Sequence, residues 1–189
     1  MIKDIVKQSR SYRRFDGKVK IPGTTLRELI ELARFSPSAR NQQALKFMIS
    51  DTPEKNDLIF PALSWAGSLK GWEGPKEDER PAAYIIVLGD SQASKDFGCD
   101  HGIAAQSMLL GAVEKGFGGC MLGAIKRDLL RENLKIPQRY KILLVVALGK
   151  PAEKIVLEDT EEGAGTEYYR DEKDVHHVPK RPLDELIIS

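Results

Sequence analysis

Two stretches of the chain are apolar at every position, and they constrain the fold more than any other feature. Residues 83–88 form the first stretch, which ends at Gly89-Asp90, and residues 142–149 form the second. Continuous apolar runs of this length, bounded by turn residues, are typical of strands that are buried on both faces. We therefore predict a central sheet that is flanked by helices.

Periodicity and capping residues predict the remaining elements. Residues 98–115 are apolar nearly all round, so this helix is expected in the core or at a subunit interface. Thr24 or Thr25 is the expected N-cap of a second helix. The full set comprises helices over about 2–9, 24–35, 53 to about Leu69, 98–115 and 126–134, strands at 46–50, 83–88 and 142–149, and mostly extended or irregular chain after residue 150.

Length and composition favour a single globular domain. The chain has 189 residues, of which 41% are hydrophobic and 30% charged. No apolar run reaches the length of a membrane span, and the N-terminus lacks the apolar core of a signal peptide. Cys99 and Cys120 form no CxxC motif. We therefore expect a cytoplasmic protein without disulfides, in which both thiols are buried.

Charge is unevenly distributed, although the net charge is only +1. Residues 1–50 carry 11 Lys or Arg against 4 Asp or Glu (+7), whereas residues 151–174 carry 3 against 9 (−6). The basic segment suits nucleic acid, an anionic cofactor or the acidic segment itself. Nucleic acid is the weakest of the three, because the whole chain is nearly neutral and carries no nucleic-acid-binding motif.

Two basic clusters are candidates for binding phosphate. The basic loop, residues 10–14 (Arg-Ser-Tyr-Arg-Arg), places three guanidinium groups and a hydroxyl group in five positions. Arg presents paired N–H donors to phosphate, and Ser adds another donor. Lys180-Arg181 lies near the other end of the chain. The two clusters could converge on one phosphate, while a solvated basic turn is the simpler alternative.

The polar turn, residues 36–43, follows the predicted helix 24–35 and leads into a strand. Ser38, Asn41 and Gln43 offer hydrogen bonds but no acid–base chemistry, which suits a flat ligand with polar edges. An ordinary loop in which Pro37 ends the helix is the alternative.

The glycine-rich run 116–123 does not match a dinucleotide-binding fingerprint. Met121 stands where the third glycine should be, and the run follows a helix rather than a strand. A strand whose backbone approaches a ligand closely is the better interpretation.

Groups for direct acid–base or nucleophilic catalysis are not evident. His101, His176 and His177 lack partners at metal-ligand spacing, and the pair His176-His177 is expected at the surface. Ser38 has no triad pattern around it. A chain that offers phosphate binders and amide groups but no acid, base or nucleophile is typical of an enzyme whose cofactor carries the chemistry.

A breaker-rich segment, residues 70–81, is predicted to be a mobile loop. Trp65 and Trp72 flank it and, with Leu69, are candidates for lining a substrate pocket. Simple packing of these side chains is equally consistent with the sequence.

Four segments, taken in order, resemble motifs of the FMN-dependent nitroreductase family, and they span nearly the whole chain. The segments, each with the family pattern that it resembles, are 10–15 (Arg-Ser-x-Arg, then an aromatic), 37–45 (Pro-Ser-x-x-Asn-x-Gln-Pro-Trp), 116–123 (Gly-x-Gly-x-Cys-x-x-Gly) and 180–183 (basic residues before Pro-Leu). In this chain Ala44-Leu45 replaces the Pro-Trp that ends the second pattern. This departure bears on substrate choice more than on flavin binding.

The resemblance implies an α+β fold with a mixed, mainly antiparallel central sheet flanked by helices. It implies one FMN-binding domain over residues 1–189 in an intertwined homodimer, whose C-terminal arm, from about residue 150, packs on the partner subunit. Two subunits would share each of two FMN sites at their interface.

The resemblance also assigns residues to FMN. The phosphate would be held by Arg10, Ser11, Arg13 and Lys180 or Arg181. The ribityl chain and the flavin edge would meet Pro37, Ser38 and Asn41 of the other subunit, with Gln43 a weaker candidate. The remaining cofactor-binding candidates are the backbone of Met121, Leu122 and Gly123, which would face the isoalloxazine ring, and the adjoining Tyr12 and Ala39.

The implied function is an oxidoreductase. NAD(P)H would reduce FMN, leave, and be replaced by an electron acceptor in a ping-pong cycle. The acceptor would be a nitroaromatic, a quinone or another conjugated electrophile; no metal, nucleic acid or membrane is expected. The alternatives are a flavin-fold relative that performs reductive dehalogenation or flavin fragmentation, and a flavin-binding redox sensor without turnover.

Overall fold

The two apolar runs lie side by side at the centre of an antiparallel sheet. The computed structural model describes residues 1–69 and 71–188. β2 (Ala83–Asp90) and β4 (Tyr140–Gly149) pair in the middle, β1 (Leu45–Ser50) flanks β2, and β3 (Gly118–Leu122) flanks β4. The predicted central strands and the mainly antiparallel sheet are therefore confirmed.

Alternate side chains of β2 supply two cores, one on each face of the sheet. Ile85 and Val87 pack with α2 (Gly23–Phe35) and α4 (Asp100–Glu114). Ile86 faces the other core, to which α3 (Pro53–Ile59) and α5 (Arg127–Leu134) contribute. Every position of β2 is buried, which explains why no charged residue interrupts its apolar run.

The predicted helices are present, with differences at two boundaries. The third helix ends at Ile59, well before Leu69, because Pro61 follows and cannot donate a backbone hydrogen bond. α2 begins at Gly23 with Pro22 at its N-cap, so neither predicted threonine caps it. The remaining bounds are α1 Ile2–Gln8, α3 Pro53–Ile59 and α5 Arg127–Leu134. No helix in the described part of the chain combines the length and apolarity that crossing a membrane requires.

The chain after residue 150, predicted to be mostly extended or irregular, includes a second, small sheet. β5 (Ile155–Asp159) and β7 (His176–Lys180) pair in parallel, and β6 (Tyr169–Arg170) pairs with β7 in the antiparallel sense. This sheet lies against the basic loop of the same chain, where the Ala152 N–H donates to the Arg14 carbonyl at 3.0 Å. Packing of the arm on a partner subunit stays a prediction.

Within residues 71–81 the structure contains a short 3₁₀ turn at Glu77–Glu79. Lys70, the first residue of this predicted mobile loop, lies outside the described residues.

Candidate functional site

The basic loop is fixed to one edge of the central sheet. Ser11 forms a parallel bridge with Gly119 of β3, and the Tyr12 N–H donates to the Gly119 carbonyl at 3.0 Å. The Tyr12 ring lies so close to Gly118 that a Cβ atom there would come within 2.6 Å of a ring carbon. Gly118 therefore leaves room for the basic loop beside β3. The segment that lies close to this strand is the basic loop of the protein itself, whereas the sequence suggested a ligand.

A buried carboxylate, Glu153, holds the basic loop in place. Its side chain is 1% exposed and accepts hydrogen bonds from the backbone N–H groups of Arg13 and Arg14. Its other oxygen accepts from the Arg170 guanidinium of β6 at 2.7 Å. Three donors on one carboxylate tie the loop to the second sheet. The acidic segment of the same chain was one of the partners expected for the basic segment, and Glu153 provides this contact.

A cavity of about 240 Å³, here called the basic pocket, lies between the basic loop and the second sheet. It brings together four of the predicted phosphate-binding residues from opposite ends of the chain. Arg181 is not among its lining residues and instead pairs with Glu185 at 2.8 Å. The lining residues are Ser9, Arg10, Ser11, Arg13, Ile155, Tyr168, His176, Val178 and Lys180.

The basic pocket carries an excess of positive charge. Arg10, Arg13 and Lys180 line it, and no carboxylate does. The Nε atoms of Arg10 and Arg13 are buried without a hydrogen-bond partner among the described residues. Burial lowers the pKa of Arg10, with Tyr12 acting in the opposite direction. An anion with several acceptor oxygens would supply the missing partners, so these residues fit a phosphate group.

The prediction that His176 lies at the surface is wrong, because its side chain is only 1% exposed. Alternate residues of β7, namely His176, Val178 and Lys180, face the basic pocket. The period-2 spacing from His176 to Lys180 is the signal that could have placed the histidine there. It was missed because a five-residue strand containing Pro179 has a weak strand pattern.

His177 faces away from the basic pocket, as the alternation of a strand requires. Its two ring nitrogens contact the carboxylates of Glu158 and Asp171, and its ring stacks on Tyr169 with a centroid distance of 4.8 Å. Hydrogen bonds to Glu158 first and Asp171 second raise the pKa of His177. This cluster ties all three strands of the second sheet together.

The polar turn is also held by a buried carboxylate. Asp100 opens α4, is 7% exposed, and accepts from the Ser38 hydroxyl at 2.7 Å and from the Ala39 N–H at 3.0 Å. The Ser38 oxygen accepts in turn from the Gln43 N–H at 3.0 Å. Because the one hydroxyl proton of Ser38 goes to Asp100, Ser38 can meet a ligand only as an acceptor. Sequence reasoning missed Asp100, which no motif marks.

Three non-glycine residues of the polar turn have left-handed backbone conformations. Arg40, Asn41 and Gln43 have φ values of 52°, 53° and 50°. Asn tolerates this region, whereas other residues lose roughly 1–2 kcal/mol each. The side chain of Gln43 donates to the Asn41 Oδ1 at 3.1 Å, and both residues remain exposed. The turn is thus strained, and hydrogen bonds keep it in one shape.

A second cavity, of about 220 Å³, adjoins the polar turn, and no residue lines both it and the basic pocket. In one chain, therefore, the two groups of predicted flavin-binding residues form separate surfaces. The residues that line this second cavity are Ala33, Arg34, Ser36, Pro37, Ser38, Gln43, Leu45, Lys46, Phe47, Asp100 and Ala104.

Comparison with known proteins establishes the family. The sequence model described as the nitroreductase family matches residues 6–150. The chain belongs to the nitroreductase family. This confirms the predicted family and, with it, the predicted fold class and an enzyme of the oxidoreductase type.

Individual relatives are distant. A Bacillus subtilis (strain 168) protein named as an NAD(P)H nitroreductase, YodC, is 23% identical over 177 residues, with 78% of this chain and 88% of the relative covered. The CLA biosynthesis enone reductase of Lactiplantibacillus plantarum is 31% identical over 90 residues, with 48% and 38% covered. The structure of an FMN-dependent nitroreductase from Clostridium difficile R20291 has a TM-score of 0.65 at 22% identity, with 79% and 87% covered, and it shows the shared fold.

The backbone candidates for contact with the flavin ring in this nitroreductase-family chain lie in strand β3 and directly after it. Met121 is half-buried and Leu122 is buried within β3, whereas Gly123 follows the strand and is exposed. Cys120 on the same strand is buried, and burial raises the pKa of its thiol. The prediction of a buried thiol is wrong for Cys99, which is exposed at the start of α4. The described residues contain no group of three or more His, Cys, Asp or Glu side chains that could hold a metal ion.

The three substrate-pocket candidates line neither of the cavities described above. Trp65 is 8% exposed and packs against Phe60 with a centroid distance of 5.8 Å. Trp72 is half-buried beneath the Arg170 guanidinium, which lies 4.8 Å from its ring. Leu69 is half-buried as well. Contact of these side chains with a substrate stays a prediction.

Proposed function

We propose that this chain is an FMN-dependent oxidoreductase that takes electrons from NAD(P)H and passes them to a small conjugated electrophile. The observation that carries the proposal is the convergence of Arg10, Ser11, Arg13 and Lys180 on one pocket without a carboxylate. FMN ends in a phosphate dianion, which complements this donor set in charge and in hydrogen-bond acceptors. FMN, when bound, supplies the hydride chemistry, and the residues of the chain bind and orient it.

Names of relatives agree with these cofactors and suggest a further class of electron acceptor. FMN is named for the Clostridium difficile structure and NAD(P)H for the Bacillus subtilis relative. The Lactiplantibacillus plantarum relative is named an enone reductase. We therefore place activated C=C bonds beside nitroaromatics and quinones as candidate acceptors.

We further propose that two copies of the chain form the complete site. The basic pocket would hold the phosphate, and the polar turn of the partner would meet the ribityl chain and the flavin edge. The separation of the two surfaces in one chain supports this division. In this arrangement Ser38 accepts a hydrogen bond, and the exposed Nδ2 group of Asn41, whose Oδ1 already accepts from Gln43, would donate to the polar edge of the ring.

Exposed apolar side chains support a dimer. Phe35 at the end of α2 is 68% exposed and lies beside a groove formed with α1 and α4. Leu183, Leu186 and Ile187 at the C-terminus are 69%, 64% and 61% exposed. Exposed apolar side chains beside a groove are candidates for a protein–protein interface. A homodimer would bury it against a second copy.

The first experiment is a titration of the apo-protein with FMN, followed by flavin fluorescence. Wild-type protein should bind FMN, and anaerobic NADH or NADPH should bleach its visible absorbance. Protein that binds no FMN contradicts the proposal, and binding without bleaching favours the redox sensor. Lys180→Ala should weaken binding about tenfold or more, because a charge-assisted hydrogen bond is lost.

The matched control is Arg181→Ala, which removes the neighbouring cation outside the basic pocket. This variant should bind FMN like the wild type. Equal losses in both variants would mean that the two cations act only through their general field.

A further inference from the structure

His176 has a buried polar atom that nothing in the described part of the chain satisfies. The side chain is 1% exposed, and its Nδ1 atom has no hydrogen-bond partner among residues 1–69 and 71–188. A buried, unpaired ring nitrogen costs free energy of about 1–3 kcal/mol, so native proteins seldom leave one without a use.

The environment of His176 fixes its position. The backbone N–H of His176 donates to the Lys154 carbonyl at 2.9 Å, and its ring stacks on Tyr168 with a centroid distance of 5.3 Å. The Arg13 guanidinium lies 4.9 Å from the centre of the same Tyr168 ring. Both His176 and Arg13 therefore line the basic pocket in defined places, together with Lys180 two pleats along β7.

We propose that His176 is a proton-linked phosphate-binding residue, whose Nδ1 donates to the ligand phosphate while the ring takes up one proton from solvent. This inference rests on the proposed binding of FMN. In the free protein the ring would be neutral, and in the complex it would be a cation beside a dianion. The net change is one proton gained per phosphate bound.

The charges around His176 explain the direction of the change. Burial is the main cause that lowers the pKa of His176 in the free protein, and Arg13, Arg170 and His177 add to it, while Glu153 opposes them. Arg10 and Lys180 line the same pocket from its other walls, and the Tyr168 ring is neutral. A phosphate dianion placed among these cations would reverse the local field and favour the protonated ring.

The test is calorimetric titration of the apo-protein with FMN near pH 7, in buffers that differ in ionisation enthalpy. The dependence of the apparent heat on the buffer gives the number of protons taken up. We expect about one proton per FMN, because the free imidazole is neutral at this pH and the phosphate, with a second pKa near 6, is already largely a dianion. Riboflavin, which has the same ring and no phosphate, should bind without proton uptake.

Two variants separate the histidine from the rest of the pocket. His176→Gln should abolish the uptake and weaken FMN about tenfold while leaving riboflavin unchanged. Lys180→Gln should also weaken FMN but keep the uptake, because it leaves the histidine in place. An equal loss of both ligands in His176→Gln, or unchanged uptake, would overturn the proposal.

The outcome stays decisive if His176→Gln does not fold. Equal proton uptake for FMN and riboflavin by wild-type protein alone refutes the role of His176, while FMN binding itself upholds the proposed function. Wild-type protein that binds neither ligand refutes the proposed function instead.

Discussion

Removal of the Glu153 carboxylate should destabilise the protein and disable the basic pocket together. Its side chain is 1% exposed, and that of its partner Arg170 is 14% exposed, so the pair is largely desolvated. Glu153→Ala would remove the acceptor of three donors, which are the Arg170 guanidinium and the backbone N–H groups of Arg13 and Arg14. Breaking a buried pair from one side costs about 3–5 kcal/mol. For a chain of this length the melting temperature should fall by roughly 6–20 °C.

Urea and thermal unfolding of the apo-protein, followed by circular dichroism, measure this loss. Glu153→Gln keeps an acceptor oxygen and should lose about 1–3 kcal/mol. The control Glu162→Ala removes an exposed carboxylate of the same acidic segment and should change the free energy of unfolding by less than about 0.5 kcal/mol. A loss in Glu153→Ala no larger than in this control would refute the role of the carboxylate as the anchor of the loop.

Three further results are expected. Asp100→Asn should weaken FMN and riboflavin by the same factor, about tenfold, in fluorescence titrations, because it loosens the polar turn and not the phosphate pocket. Gly119→Ala should lower the unfolding free energy by about 1–3 kcal/mol in urea, since its Cβ would lie 2.3 Å from a backbone oxygen of β4, whereas Gly165→Ala meets open space and should be neutral. The raised pKa of His177 means that its contribution to stability is full below the unfolded pKa and lost as pH rises through the folded one; His177→Asn should flatten this pH dependence in thermal melts.

The central sheet could be predicted because burial on both faces leaves a direct mark on the sequence. Residues 83–88 of β2 and 142–149 of β4 are apolar because helices cover both faces of the sheet at these positions. The second sheet leaves no such mark. β6 has two residues, and the burial of β5 and β7 is mostly partial, so neither length nor alternation distinguishes them from irregular chain.

The end of α3 shows a different limit of pattern reasoning. Apolar residues continue to Leu69, so the periodicity alone extended the helix, while Pro61 ended it. A single missing donor outweighed a favourable side-chain pattern, as expected when the lost backbone hydrogen bond and the steric clash cost about 3 kcal/mol or more.

The candidate site divides into residues that face the ligand and carboxylates that hold them. The ligand-facing residues occur in short local motifs, since a phosphate or a flavin edge is small and needs several donors from one loop. The carboxylates lie far away in sequence. Asp100 is 62 residues from Ser38, and Glu153 is 140 residues from Arg13. Each carboxylate meets its partners only after the chain has folded, so neither is part of a local sequence motif, although each is a buried carboxylate. The largest cost of desolvating a charge in this site therefore falls at positions that no motif contains. Substitutions at these positions should separate the two halves of the proposed flavin site: those of Glu153 affect the basic pocket, and those of Asp100 affect the polar turn.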